Sequence, residues 1–193
     1  MRRVGAPARE RGQSTVEYAI VVPVLLLILL GILEFGFAFS HHITMEYATR
    51  EGARTGAALN NGTVAFDCAD VDDHVIAALQ RVLTGGGSKI DIAAIGQIRI
   101  YKANASGQEA GPAEVWVPGS GNKVDGIALK FIRTSGDWNA CGRKNDGFGK
   151  TDSIGVSLSY DYSYVTPLGN LMGLGGSPTL HMTDHTVMAL NPD

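Results

Sequence analysis

The chain begins with a short basic stretch that gives way abruptly to a long apolar run. Residues 18–33 carry no charged side chain, and the run reaches Phe39 with one carboxylate, Glu34. Its roughly 22 residues would form about 33 Å of helix, enough to cross a hydrocarbon core of about 30 Å. Positive charge before the run predicts a single span over about 18–39, with a cytoplasmic N-terminus and an extracytoplasmic remainder. Pro23 predicts a simple kink.

Helix-favouring residues continue beyond the apolar run and predict one long helix over residues 14–59, ended by Asn60-Asn61-Gly62. Its outer half is expected to pack on a head domain. Gly52 and Gly56 lie one turn apart, and this spacing lets another element approach closely. We expect that element to be the protein's own sheet, and contact with a neighbouring subunit is the alternative.

The remainder of the chain predicts an α+β head domain over residues 60–193. A second helix is expected over about 70–84, with Asp70 as N-cap and Asp73 in its first turn. A period of two then predicts strands at 98–101, 127–131, 156–164 and 179–190. About four strands would form an antiparallel sheet with one face covered by the long helix.

Three stretches are predicted to be loops: residues 104–122, 134–152 and 167–176. The third is unusually apolar for a turn. It would contact the membrane, a neighbouring subunit or the core of its own domain, and the sequence leaves these three open.

The two cysteines, Cys68 and Cys141, both follow the apolar run, on the side of the membrane where disulfides persist. We expect them to be paired, and two buried free thiols are the alternative. The closed loop of about 74 residues would contribute about 4 kcal/mol in the chain-entropy account. Neither cysteine has a C-x-x-C partner, which argues against a metal site.

Charge and motifs favour neither nucleic-acid binding nor catalysis. The formal net charge is −3, and no basic stripe follows the N-terminal arginines. His181 and His185 would lie about 13 Å apart along a strand, too far to share one ion. No nucleophile elbow, Walker loop or zincin motif occurs. We therefore expect no enzyme activity, no cofactor, no metal and no nucleic-acid partner.

The junction before the apolar run suggests proteolytic processing. A secretory signal is cut after its apolar segment, whereas here the candidate cut, between Gly12 and Gln13, precedes it. Cleavage would leave the apolar helix as the mature N-terminus, with Glu17 near its tip. Residues 1–12 contribute a charge of +3, so their removal would change the net charge from −3 to −6.

These residues resemble known processing signals. A glycine followed by four residues and a glutamate is the motif of type IV prepilins and pseudopilins. Three further features resemble TadE-like pseudopilins of tight-adherence (Flp/Tad) pilus systems: Pro23 within the run, Gly-Ile-Leu-Glu-Phe-Gly at 31–36, and Ala-Thr-Arg-Glu-Gly-Ala-Arg at 48–54. The ending at 186–192 is similar to the family's closing strand.

The resemblance implies a type IV pilin-like fold and a set of partners. A prepilin peptidase would remove the leader, residues 1–12, and leave the long helix 13–59 joined to the head. Glu17 would align subunits by pairing with the N-terminal amine of a neighbour, or would lie at headgroup level in water. Glu34 would meet a cation on a partner or extend towards water.

Two hypotheses of function follow. The first is a minor pilin or pseudopilin that takes part in assembly or initiation of a Flp/Tad pilus, with other pilins as partners, in the cytoplasmic membrane or in the pilus itself. The second is an uncleaved, signal-anchored extracytoplasmic binding or adhesion domain, in which Gly12 and Glu17 have no special role.

Overall fold

The computed structural model describes residues 12–64, 66–85, 90–145, 151–171 and 179–191. The chain divides into two compact units. The first contains the helix as far as Phe37 together with the segment that begins at Tyr164. The second contains residues 38–163 and the chain from Thr179 onward.

One long helix, α1, runs from Gln13 to Leu59 with Pro23 inside it, as the sequence predicts. Its C-terminal end is a left-handed turn, because Asn60 has φ 54° and donates its N–H to the carbonyl of Gly56 at 3.1 Å. Asparagine and glycine are the residues that most readily adopt this conformation. The predicted α+β fold, a long apolar helix packed on a small antiparallel sheet, is confirmed.

The second unit is built on a five-stranded antiparallel sheet with the order β5-β2-β1-β6-β7. Its strands are β1 (Ile95–Ala103), β2 (Glu109–Pro118), β5 (Phe131–Gly136), β6 (Ser153–Ser163) and β7 (Thr179–Ala189). A separate ribbon joins β3 (Lys123–Val124) to β4 (Ile127–Ala128). The longest pairing, β6 with β7, keeps one register over its whole length.

The core of this unit lies between the inner sheet face and two helices. Helix α2 (Val71–Gly85) and the outer half of α1 contribute apolar side chains to the same buried cluster as the sheet. Ile98 pairs with Leu158 and Ile100 pairs with Val156, so directly opposite residues project to this face. All four side chains are at most 1% exposed.

Two predictions for the region between β1 and β6 are wrong. Residues 104–122, expected to be a loop, contain β2, which lies between β1 and β5 in the sheet. The strand expected at 127–131 is divided. Its first residues pair only with β3, and β5 begins at Phe131. Gly121 and Leu129 are joined by a backbone hydrogen bond of 2.9 Å at this break.

The start of α2 also differs from the prediction. A short 3₁₀ turn, Cys68–Asp70, precedes the helix, and its capping side chain belongs to Asp67, whose carboxylate accepts from the N–H of Ala69 at 3.1 Å. Asp70 therefore does not act as the N-cap. The carboxylate of Asp73 lies in the first turn of α2 as predicted and accepts from the Asn122 side chain at 3.1 Å.

Several predictions fall partly outside the described residues. These are the leader up to residue 11, residues 146–150 of the loop 134–152, the loop 167–176 beyond residue 171, and the closing Pro192. Helix α3 (Leu168–Leu171) occupies the described part of the apolar loop.

Candidate functional site

The proposed cleavage position coincides with the start of α1. The helix begins at Gln13, and the carbonyl of Gly12 accepts the first helical hydrogen bond, from the N–H of Val16 at 3.3 Å. A Cβ atom added at Gly12 would meet nothing within 4 Å. Packing among the described residues therefore does not require glycine at this position.

Glu17 lies one turn into α1 and is exposed. Its carboxylate accepts a hydrogen bond of 3.0 Å from the side-chain amide of Gln13. Residues four apart occupy the same face of a helix, so the carboxylate and residue 13 face the same direction. A positive charge on the backbone nitrogen of Gln13 would lie within about one helical turn of this carboxylate.

The apolar part of α1 is long and apolar enough to cross a membrane, and only 6% of its most apolar stretch is buried. Side chains such as Ile20, Ile28 and Phe35 are more than half exposed. Added Cβ atoms at Gly31 and Gly36 would meet nothing within 4 Å. This helix suggests a membrane anchor, because so large an exposed apolar surface is unfavourable in water.

Of the two alternatives for Glu34, extension towards water is wrong. Its side chain is 4% exposed, and its two carboxylate oxygens accept the backbone N–H groups of Val165 and Thr166 at 3.0 and 2.7 Å. The sequence indicated that a carboxylate in an apolar helix needs a partner, but not that the partner is backbone of the same chain. The apolar segment 164–171 is the only signal that could have suggested it.

The glycine pair in the outer half of α1 contacts the protein's own sheet and α2. A Cβ at Gly56 would lie 2.5 Å from the Cδ1 of Ile154 and 3.2 Å from a methyl carbon of Val75. A Cβ at Gly52 would lie 3.5 Å from Val156. The close approach of α1 to the sheet therefore depends on Gly56 more than on Gly52.

Cys68 and Cys141 form a disulfide. It joins the 3₁₀ turn before α2 to a second 3₁₀ turn, Ala140–Gly142, that follows β5. The covalent link ties the long connection between β5 and β6 to the helical layer.

A buried ionic cluster lies close to this disulfide in sequence and was not predicted. The Arg143 guanidinium contacts the Asp72 carboxylate, with side chains 0% and 4% exposed, and stacks on Trp138 at 4.6 Å. Glu114, fully buried, accepts from Arg133 at 2.9 Å. Buried charges are found almost only in such pairs.

The position of Asp72 in the sequence was an overlooked signal that a buried ion pair is present. It precedes Ile76 by one turn and therefore lies on the apolar face of α2, where a carboxylate needs a partner. Burial raises the pKa of Asp72, and the Arg143 guanidinium opposes that shift. Burial also raises the pKa of Glu114, and the nearby charge of Asp72 adds to it.

Among the described residues, the one close group of His, Cys, Asp and Glu side chains is Asp67 with Cys68 and Cys141, whose sulfurs are joined in the disulfide. The Nδ1 atom of His181 lies 2.7 Å from the carboxylate of Asp161, on the neighbouring strand. His185 lies on the outer sheet face.

That outer face carries a shallow groove of about 390 Å³. An ion pair of Arg99 with Glu109 borders it, and Ser157, Ser159 and His185 contribute to its lining. It is a candidate surface for recognition by the head.

Taken together, these features define a class of protein: a small α+β head domain on a long N-terminal helix that is apolar enough for a membrane anchor. Within that class, residues 12–54 match the family model described as TadE-like protein. The match begins at Gly12 and is consistent with a TadE-like protein of a Flp/Tad pilus system, as the sequence resemblance predicted. Comparisons with curated proteins and with solved structures found no significant match.

Proposed function

We propose that the protein is a minor pilin or pseudopilin that takes part in assembly or initiation of a Flp/Tad pilus. A prepilin peptidase cuts it between Gly12 and Gln13, and the mature protein stays in the cytoplasmic membrane or enters the filament. Its partners are the peptidase and other pilins of the same system. It acts by lateral packing of its apolar helix and not by catalysis.

The observation that carries this proposal is the coincidence of three boundaries. The family match begins at residue 12, α1 begins at Gln13, and the exposed apolar surface follows directly. A cut at this point releases the basic leader and leaves the helix intact from its first residue. Gly12 has no packing role among the described residues, which supports recognition by a peptidase as the reason for glycine there.

Glu17 supplies the polar contact for assembly. Cleavage creates an α-amine at Gln13, and an amine with a pKa near 8 is protonated at neutral pH. A carboxylate at the edge of the hydrocarbon is costly without a cation. In the membrane, the Glu17 carboxylate of one subunit therefore pairs with the N-terminal amine of an adjacent subunit. This pair sets the axial position of one helix relative to the other.

The test is pilus production by cells that carry the complete system. Glu17→Gln keeps the shape of the side chain and the Gln13 contact but removes the charge. We expect cleaved protein to accumulate in the membrane while sheared surface pili fall about tenfold or more, since a buried charge pair is worth several kcal/mol. Glu51→Gln, an exposed carboxylate paired with Arg54 further along the same helix, is the matched control and should leave pili unchanged. Normal pili with Glu17→Gln would contradict this role.

A further inference from the structure

Residues 164–171, which include the described part of the apolar loop 167–176, share a compact unit with the apolar half of α1. They carry no charged side chain. Val165 and Leu171 are 65% and 68% exposed, while Leu168 is turned inwards. An uncharged segment that presents two large apolar side chains outward fits an apolar environment better than water.

Glu34 fixes the position of residues 164–171 along the axis of α1. Its carboxylate oxygens hold the N–H groups of Val165 and Thr166, as described above. Glu34 lies five residues before Phe39, the predicted end of the span, which corresponds to about 7.5 Å along the helix axis. The segment therefore lies at the depth of the outer end of the span.

The residues that flank Glu34 on the helix are open to the same surroundings. Ile32 and Phe35 are 65% and 70% exposed. In a membrane-anchored chain these side chains contact lipid, and the exposed surface of Val165 continues that apolar surface on a second piece of chain.

Backbone within or near hydrocarbon needs internal hydrogen-bond partners. Besides the two N–H groups bound to Glu34, the N–H of Leu171 donates to the carbonyl of Pro167 at 3.0 Å, and that of Leu168 to the Thr166 hydroxyl at 3.4 Å. Pro167 has no N–H to satisfy. The carboxylate and the segment thus stabilise each other in lipid. The carboxylate accepts hydrogen bonds from backbone N–H groups of the segment, and these N–H groups are the polar partners that a buried carboxylate needs.

We propose that residues 164–171 form a second membrane contact, seated among the lipids at the outer end of the span and held there by the carboxylate of Glu34. The partner is the boundary between headgroups and acyl chains, which accepts an uncharged apolar turn. This proposal rests on the membrane anchor of the proposed function but needs neither cleavage nor a pilus.

The test uses the full chain in nanodiscs of phosphatidylcholine and phosphatidylglycerol, with one nitroxide label per variant. The disulfide-bonded Cys68 and Cys141 do not react with thiol labels, so a single introduced cysteine is labelled. Val165→Cys reports the proposed contact and Leu27→Cys reports the span. Val64→Cys, a fully exposed valine that follows the end of α1, is the matched control.

Accessibility to oxygen, which partitions into lipid, is compared with accessibility to a soluble nickel chelate. We expect the label at 165 to show an oxygen-to-nickel ratio close to that at 27 and several-fold above that at 64. A ratio at 165 equal to that at 64, with the label at 27 in lipid, overturns the proposal and leaves the anchor intact. An immobile label at 165 shielded from both reagents also overturns it, in favour of contact with another copy. A water-accessible label at 27 would overturn the anchor itself.

The role of Glu34 is tested in the same labelled background. Glu34→Gln replaces one acceptor oxygen by an amide donor, so it can no longer accept both N–H groups. The label at 165 should then become more mobile and more accessible to nickel, while the label at 27 stays in lipid. Glu46→Gln, on the same helix beyond the span, is the control. An unchanged signal at 165 in Glu34→Gln would overturn the role of Glu34.

Discussion

At the scale of single residues, Gly56 and Gly52 differ although they are one turn apart on the same helix. At Gly56 a side chain would collide with Ile154, whereas at Gly52 the nearest atoms lie at ordinary van der Waals distance. Alanine at Gly52 therefore reports the effect of helix propensity, whereas alanine at Gly56 also reports the effect of crowding.

We predict that Gly56→Ala lowers the free energy of unfolding by about 1–3 kcal/mol, the usual cost of overpacking a core. Gly52→Ala is the matched control and should be neutral or stabilising by up to about 1 kcal/mol, because alanine favours helix. Guanidinium unfolding in detergent micelles, followed by the fluorescence of the buried Trp116 and Trp138, measures both. Equal losses in the two variants would contradict the contact at Ile154.

The buried carboxylate of Glu114 makes stability depend on pH. Its pKa is raised above the ordinary value, chiefly by burial and further by Asp72, while Arg133 opposes the shift. The folded state therefore binds the proton more tightly than the unfolded state. As the pH rises from the unfolded pKa to the raised folded pKa, this group lowers the free energy of unfolding.

We predict that Glu114→Gln gains stability relative to the wild type as the pH rises through that interval from about 4.3, the ordinary pKa of glutamate. Unfolding curves at a series of pH values give the difference. Glu109→Gln, which removes a carboxylate that is 37% exposed, corrects for the loss of one negative charge. A difference that is constant with pH, or that changes in the opposite direction, would contradict the raised pKa.

At the scale of elements, the disulfide holds the connection between β5 and β6 against the start of α2. The cysteines are 73 residues apart, so the link removes much freedom from the unfolded chain. The buried Asp72–Arg143 pair joins the same two regions by charge.

We predict that Cys68→Ser with Cys141→Ser lowers the free energy of unfolding by about 4 kcal/mol, from the chain-entropy relation. Reduction of the wild type should produce the same loss, and reduction should not affect the double variant. Denaturant unfolding of the wild type and of the double variant, each with and without reductant, measures these losses. A loss well below 1 kcal/mol would show that the non-covalent contacts of Arg143 hold the connection by themselves.

The elements also show how far the sequence could predict the fold. The helices α1 and α2 and the strands β1, β6 and β7 follow from periodicity, since each has a long, regular pattern. Strand β2 was missed because its first half contains Gly111 and Pro112. The structure accommodates the proline because β5 pairs only with residues 114–118, so the first half of β2 has one neighbour and needs fewer ladder bonds.

The residues of the candidate site could likewise be predicted only in part. Local patterns indicated Gly12, Glu17 and the cysteines as candidates, because each belongs to a motif or a simple count. The disulfide is observed, whereas the roles of Gly12 and Glu17 stay predictions. Contacts between distant segments could not be predicted, such as Glu34 with residues 165 and 166, or Asp72 with Arg143. These pairings depend on which loops the topology brings together, and the loop positions carry little periodicity.

At the scale of the whole molecule, each region has one task in the proposed function. In that proposal the leader would address the chain to a peptidase, the apolar helix would anchor it and pack laterally, and the head domain would project outside the membrane. Everything in the proposed function depends on whether the cut before Gln13 occurs.

The N-terminal residue and intact mass of the membrane-extracted protein test this directly, with and without the prepilin peptidase of its own system. We predict a terminus at Gln13 only when the peptidase is present. In Gly12→Arg this terminus should not form even with the peptidase. Gly36→Ala, a glycine with free space around it in the helix, is the control and should be cut normally. A terminus at Met1 or Arg2 under both conditions would contradict the pilin pathway.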